Sequence, residues 1–228
     1  MKTKHPNLLN LIAAAKALEP LNETIVFVGG ATAILYVDEQ SKDGARATVD
    51  VDCIVEVATR IDYQKIEAKM RKLGFQHDTS EGAPICRWLK GPLVVDLMPV
   101  DEKILGFTNK WYENGFSTAE KVKASEDVEI SIFSFPYFIA SKLEALMSRG
   151  LKDLTTSQDF EDILFAIDGR KTFFEDLSKA ASEIQGFFRK SFNKIIAQPD
   201  FENAFRGNLP RGLNLQRQNQ ILAALSGF

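Results

Sequence analysis

The chain has 228 residues, of which 45% are hydrophobic and 26% are charged, and its formal net charge at pH 7 is −3. This length is enough for one large or two small globular domains with a sizeable core. No run of 18 apolar residues and no cleavable signal pattern is present, so we expect a cytoplasmic protein with no membrane partner. Cys53 and Cys86 lack metal-ligand spacing, and we interpret both as small core residues in a reducing compartment.

Charge is unevenly distributed along the chain. Residues 1–169 contain 19 basic and 26 acidic residues, whereas residues 170–228 contain nine basic and five acidic residues. A mildly basic C-terminal part could face a phosphate backbone. An ordinary solvated helical surface explains the same composition, and both interpretations stay open.

The predicted strands lie in the first half of the chain, at residues 24–28, 49–57, 85–89, 93–98 and 128–133. The third and fourth strands flank Lys90-Gly91-Pro92, which predicts a hairpin. Helical patterns in this half cover residues 8–18, 31–37 and 62–73.

From residue 134 onward the apolar spacing is helical, with segments at residues 136–148, 157–167, 174–196 and 214–225. Strands in one half and helices in the other predict an α+β protein. We therefore expect a catalytic domain over residues 1–133, with a mixed sheet and flanking helices, and a helical domain over residues 134–228.

Three aspartates in apolar strands are the main candidates for chemistry. Asp50 and Asp52 are two residues apart on one strand, so their side chains point to the same face. Adjacent carboxylates repel each other, and a divalent cation such as Mg²⁺ commonly offsets that repulsion. Asp96 lies within the apolar strand 93–98, where an aspartate needs a partner. A set of surface carboxylates with no function is the less favoured alternative.

Two segments around these aspartates carry a family resemblance. The first is Gly29-Gly30-Ala31-Thr32-Ala33-Ile34-Leu35, and the second is Arg46-Ala47-Thr48-Val49-Asp50-Val51-Asp52. Together with Asp96 they resemble the nucleotidyltransferase superfamily typified by DNA polymerase β. Within it they resemble the AbiEii-type toxins of type IV toxin–antitoxin systems. The resemblance covers about residues 20–168, although a polar insertion at 38–44 makes the spacing between glycines and aspartates longer than usual.

The resemblance implies a polymerase β-like fold and a Mg²⁺-dependent transfer of NMP from an NTP to an acceptor hydroxyl. It implies that Asp50, Asp52, Asp96, Lys142 and Asp159 are catalytic and that the first three bind two Mg²⁺ ions. The nucleotide-binding residues that we expect are Gly29, Gly30, Thr32, Arg46, Thr48 and Lys142. Glycines let the backbone approach a phosphate closely, but a tight turn between strand and helix would also require them.

Lys142 lies within the apolar stripe of its predicted helix, so it must extend its amine to solvent or meet an anion. The resemblance implies that the anion is the triphosphate and that Asp159 lies beside the active site. Asp159 could instead act as a charge near a helix N-terminus. Asp162 is expected to point away from the apolar stripe of the same helix.

The acceptor is the least determined part of the hypothesis. The resemblance suggests RNA, plausibly the 3′ end of a tRNA, and a toxin restrained by an antitoxin protein. A small-molecule acceptor, as in antibiotic-modifying nucleotidyltransferases, and a catalytically silent protein that binds NTP or a partner are the alternatives. No sequence-specific reading of DNA is expected. For an RNA acceptor, the expected basic surface comprises Arg170, Lys171, Arg189, Lys190 and Lys194.

Overall fold

The computed structural model describes residues 5–209 and 213–227. The chain divides into two compact units: the first comprises the residues up to Thr32 together with Ala47–Ser134, and the second comprises Ala33–Arg46 and the residues from Phe135 onward. Within the described ranges, no helix is both long enough and apolar enough to cross a membrane.

The first unit contains a mixed sheet of seven strands: β1 (Ile25–Val28), β2 (Asp50–Val55), β3 (Gln76–His77), β4 (Arg87–Lys90), β5 (Leu93–Pro99), β6 (Glu120–Lys123) and β7 (Glu129–Ile132). Their order is β3-β4-β5-β2-β1-β7-β6. The β2–β5 and β1–β7 pairs are parallel, and the other pairs are antiparallel. The predicted α+β class with a mixed sheet is confirmed.

One face of the central strands forms the core of this unit. Alternate side chains on the paired strands β4, β5 and β2 are inaccessible to solvent, namely Trp88, Val95, Leu97, Val51 and Cys53. The helices of the unit are α1 (Pro6–Ala17), α2 (Arg60–Lys72), α3 (Glu102–Leu105) and α4 (Tyr112–Ser117). The buried hydroxyl of Tyr63 in α2 donates a hydrogen bond of 2.7 Å to the carbonyl of Leu97. The polar side chains of these strands therefore lie on the opposite face of the sheet.

Helix α1 holds the backbone immediately before β2. The Oδ1 atom of Asn7 accepts a hydrogen bond of 2.9 Å from the backbone N–H of Thr48, and Nδ2 of Asn10 donates one of 3.1 Å to the Thr48 carbonyl. Asn7 is completely buried. These two side chains thus fix both backbone groups of a residue that lies two positions before Asp50.

The second unit is helical: α5 (Phe135–Arg149), α6 (Gln158–Gly169), α7 (Phe173–Ser178), α8 (Ser182–Ile196), α9 (Phe201–Asn208) and α10 (Leu215–Gly227). Phenylalanine rings fill its core, with Phe173 against Phe188 at 6.0 Å between ring centroids and Phe188 against Phe192 at 4.6 Å. Residues 33–46 belong here because Tyr36 stacks on Phe138 at 4.4 Å between centroids.

Several predicted elements differ from the observed ones. The segment after Gly29 is a 3₁₀ helix over Gly30–Leu35, and the predicted helix 174–196 is two helices, α7 and α8. A continuous helix would separate Phe173 from Phe188 by about 22 Å, so their contact requires the break. Strand β6 was not predicted because it is a short edge strand with three charged residues in four, a composition that discourages further strand pairing.

Replacing Asn7 with alanine tests the attachment of α1 to β2. The substitution leaves the Thr48 N–H without its side-chain acceptor, and we expect the free energy of unfolding to fall by about 1–3 kcal/mol. Asn10→Ala is the matched control, because its side chain is less buried and it removes a donor to a carbonyl. Chemical denaturation measures both variants. An equal or larger loss for Asn10→Ala would contradict the assignment of Asn7 as the main attachment.

Candidate active site

The three aspartates lie on one face of adjacent strands. Strands β2 and β5 are parallel, with Asp52 directly opposite Asp96. Asp50 is two residues before Asp52 in the same strand and therefore points to the same side of the sheet. Asp96 is 6% exposed, whereas Asp50 and Asp52 are half-buried. The structure thus brings together three carboxylates on the face opposite the apolar core.

Gly29 lies against one of these carboxylates. It has a φ of +74°, and a Cβ atom at this position would lie 1.9 Å from Oδ2 of Asp52. A side chain here would therefore meet both an unfavourable left-handed backbone and a collision. The buried hydroxyl of Thr32 donates a hydrogen bond of 2.8 Å to the carbonyl of Gly29. Gly29 and Thr32 thus form a tight turn beside Asp52, and Gly30 begins the 3₁₀ helix that follows.

Arg87 contacts two of the three carboxylates, and the sequence interpretation did not include it. Its Nε donates to Oδ1 of Asp96 at 2.8 Å, and its Nη2 donates to Oδ2 of Asp96 at 2.7 Å. The same Nη2 atom lies 2.8 Å from Oδ2 of Asp50. The hydrogen bonds with Asp96 raise the pKa of Arg87, so the guanidinium stays charged.

The position of Arg87 could have been found from the hairpin alone. Lys90 pairs with Leu93 across the turn, so counting back along both strands sets Arg87 opposite Asp96. Directly opposite residues in an antiparallel pair share a face. The available signal was therefore a basic residue in register with an acidic one.

The carboxylates suit Mg²⁺ in their chemistry, because they are hard oxygen donors on neighbouring strands. Among residues 5–209 and 213–227, no group of three or more His, Cys, Asp or Glu side chains is arranged to hold a metal ion. The guanidinium of Arg87 lies against the oxygens of Asp50 and Asp96 that such an ion would need. The carboxylates that could bind Mg²⁺ are present, and the guanidinium of Arg87 neutralises those of Asp50 and Asp96.

Neither cysteine contributes to this face as a ligand. Cys53 points to the apolar side of β2 and is completely buried, and burial raises the pKa of its thiol well above the usual range. Cys86 is also buried, and burial raises the pKa of its thiol to about 12. Both are free thiols in the core, as the sequence predicted.

In the second unit, Lys142 is part of a buried ion-pair cluster. Its Nζ lies 3.1 Å from Oδ1 of Asp159 and 2.7 Å from Oδ2 of Asp162, and Arg149 contacts Asp159 from the other side. Asp162, which we expected to point away from the apolar stripe of α6, is only 2% exposed and pairs with the lysine. The prediction of a triphosphate contact for Lys142 stays a prediction, and its observed partners are carboxylates.

Arg46 joins the same cluster rather than the strand that follows it. Its Nη2 lies 3.3 Å from Oδ2 of Asp162, beside a cavity of about 520 Å³ that Glu161 also lines. Thr48 belongs to the first unit, where its hydroxyl donates to the carbonyl of Asp50 at 3.2 Å. Nucleotide contacts for Arg46 and Thr48 stay predictions.

Comparison with known proteins agrees with this fold. No protein-family model matches the chain, and no curated protein matches it. Its structure is similar to the crystal structure of an antigenic nucleotidyltransferase-like protein from Paracoccidioides brasiliensis, with 18% sequence identity and a TM-score of 0.52. The match covers 90% of this chain and 94% of that one. The chain therefore has a nucleotidyltransferase-like fold, as the sequence predicted, whereas the AbiEii-type subclass stays a prediction.

Substituting Gly29 tests whether the position of Asp52 requires a residue without a side chain beside it. Gly29→Ala should lower the free energy of unfolding by about 1 kcal/mol through the left-handed backbone and by about 2 kcal/mol more through the collision. Gly82→Ala is the matched control: Gly82 has a φ of +80°, and a Cβ atom added there would have no other atom within 4 Å. Thermal and chemical denaturation of both variants would measure the difference. Equal losses would show that Asp52 can move away at no cost.

Proposed function

We propose that this protein is a nucleotidyltransferase that moves NMP from an NTP to an acceptor hydroxyl. The observation that carries the proposal is the register of β2 and β5, which aligns Asp52 with Asp96 and sets Asp50 on the same face. The turn at Gly29 beside Asp52 and the nucleotidyltransferase-like fold support it. A protein that only bound a partner would have no need for three carboxylates in this arrangement.

In this proposal Asp50 and Asp52 would hold Mg²⁺ beside the nucleotide's phosphates, and Asp96 would contribute to holding a second ion. Bound Mg²⁺ ions would supply Lewis-acid stabilisation of the charge that develops on the phosphate oxygens. Asp96 would also orient the acceptor hydroxyl and accept its proton at a carboxylate oxygen. The turn at Gly29 holds the backbone against Asp52, and Gly30 begins a short helical turn there.

The finer proposal is that the acceptor is RNA, at the 3′ end of a tRNA, and that the protein is a toxin with a cognate antitoxin. It rests on the resemblance carried by the glycine segment and by the segment from Arg46 to Asp52. The exposed basic side chains of α8 offer a surface for phosphates, namely Arg189, Lys190 and Lys194. Arg170 is excluded from that surface, because it is bound to Asp176 at 2.6 Å and to the Tyr36 carbonyl at 2.8 Å.

Labelled NTPs incubated with the protein, Mg²⁺ and a cell extract test the activity. We expect label to enter an acceptor, and Asp52→Asn to lower the rate by about a hundredfold or more, because a neutral amide is a poor Mg²⁺ ligand. Asp127→Asn is the matched control, because Asp127 is an exposed carboxylate in the turn between β6 and β7. If no label is transferred and Asp52→Asn binds Mg-ATP as well as the parent, the silent NTP-binding alternative is correct.

Salt dependence tests the RNA acceptor. Replacing Arg189, Lys190 and Lys194 with alanine together should slow transfer to bulk tRNA, because each lost phosphate contact lowers the affinity for RNA. Each lost contact should also flatten the slope of log affinity against log salt concentration by about one unit. The rate is measured from about 50 to about 200 mM salt, the range over which counterion release changes affinity strongly. The control replaces three exposed lysines of α2, namely Lys65, Lys69 and Lys72. An unchanged rate and slope in the α8 variant would remove this surface from the mechanism.

A further inference from the structure

Arg87 lies where a positive charge is needed on the carboxylate face. Its guanidinium takes both oxygens of Asp96 and one oxygen of Asp50, each at 2.7–2.8 Å. Oδ2 of Asp50 and Oδ2 of Asp96 both contact one nitrogen, Nη2, so these two oxygens share the positive charge of the guanidinium. A divalent ion held by these two carboxylates would therefore need oxygens that the guanidinium occupies.

We infer that Arg87 is the resident counter-cation of this site and that it leaves the oxygens of Asp50 and Asp96 when a divalent cation binds there. The inference rests on the proposed function in assigning these aspartates to metal binding. A metal ligand oxygen cannot keep a full hydrogen bond to a guanidinium in the same direction, so the two cations compete. Binding of the ion must then offset the cost of releasing Arg87. The apparent affinity for the ion equals the intrinsic affinity multiplied by the fraction of molecules in which Arg87 is already released, so it is lower than the intrinsic affinity.

The surroundings of Arg87 permit this exchange. Its side chain is 24% exposed, and that of Asp50 is 38% exposed, so the guanidinium has a path to solvent. Asp96, by contrast, is 9% exposed at its side chain, and a buried carboxylate without a cation is costly. One cation or the other must therefore stay with Asp96. The released guanidinium, a fork of N–H donors, would then be free to bind phosphate oxygens of the nucleotide.

Binding of Mn²⁺ alone, followed by the electron paramagnetic resonance signal of the free ion, tests the inference without any transfer reaction. Mn²⁺ prefers the same oxygen ligands as Mg²⁺. Arg87→Met removes the competing charge while keeping an unbranched side chain, and we expect its Mn²⁺ dissociation constant to fall about tenfold below the parent value. Its melting temperature should be below the parent value without metal, and Mn²⁺ should raise it by more than it raises that of the parent.

Arg71→Met is the matched control, because Arg71 is a half-exposed arginine of the same unit whose carboxylate partner, Glu67, is 3.9 Å away and not at the site. It should leave Mn²⁺ affinity unchanged. Arg87→Lys is the second variant, since it keeps the charge but loses the two-pronged contact with Asp96, and its affinity should lie between those of the parent and Arg87→Met. Circular dichroism checks the fold of each.

Equal or weaker Mn²⁺ binding in Arg87→Met would overturn the inference, as would the absence of binding in both the parent and the variant. Failure of both Arg87 variants to fold would assign the residue to structure alone and would also overturn it. These outcomes are distinct from a failure of the proposed function. Tighter Mn²⁺ binding in Arg87→Met, together with no label transfer by the parent, would keep the cation exchange and reject the nucleotidyltransferase.

Discussion

The repulsion among three carboxylates on β2 and β5 is the constraint on which the first unit depends. Parallel pairing aligns Asp52 with Asp96 and keeps Asp50 on the same face, so negative charge accumulates there. Apolar residues could fill these positions at a lower free-energy cost, because an uncompensated carboxylate beside a core costs several kcal/mol. The fold offsets the cost with Arg87, whose strand is joined to β5 by a two-residue turn. The site is thus built from one hairpin and one neighbouring strand.

The approach to this face depends on the turn at Gly29. Asp52 occupies the space that a Cβ atom would need there, and Thr32 closes the turn with a hydrogen bond to the glycine carbonyl. The glycine therefore serves the carboxylate by leaving room for it. On the other side, Asn7 fixes the chain before β2, so the position of Asp50 is set before the strand begins.

The second unit solves a different charge problem by burial. Lys142 is 8% exposed and lies between Asp159 and Asp162, which are themselves nearly inaccessible. Arg46 contacts Asp162 and Arg149 contacts Asp159. Removing one charged side chain from such a cluster leaves another charge buried without its partner. The free-energy cost of that buried charge is larger than the stability that the intact cluster contributes. These ion pairs therefore hold α5 against α6, in addition to the phenylalanine core of the unit.

By itself, the sequence determined the α+β class, five of the seven strands and the shared face of Asp50 and Asp52. Each of these follows from local periodicity or from spacing within one strand. It also contained the register of the β4–β5 hairpin, which a two-residue turn fixes. Lys142 was correctly seen as a charge in an apolar stripe, and the sequence left open whether its amine reaches solvent or meets an anion.

Only the tertiary structure decided which partners these residues have. The pairing of β2 with β5 joins segments about 40 residues apart, and no local pattern specifies it. The partners of Lys142 lie on the next helix, where Asp162 is buried because the helix is covered on more than its apolar stripe. Residues 33–46 belong to the helical unit because Tyr36 stacks on Phe138, which lies about a hundred positions later in the chain. Burial and ion pairing are properties of contacts between distant segments, and sequence periodicity carries no information about which segments meet.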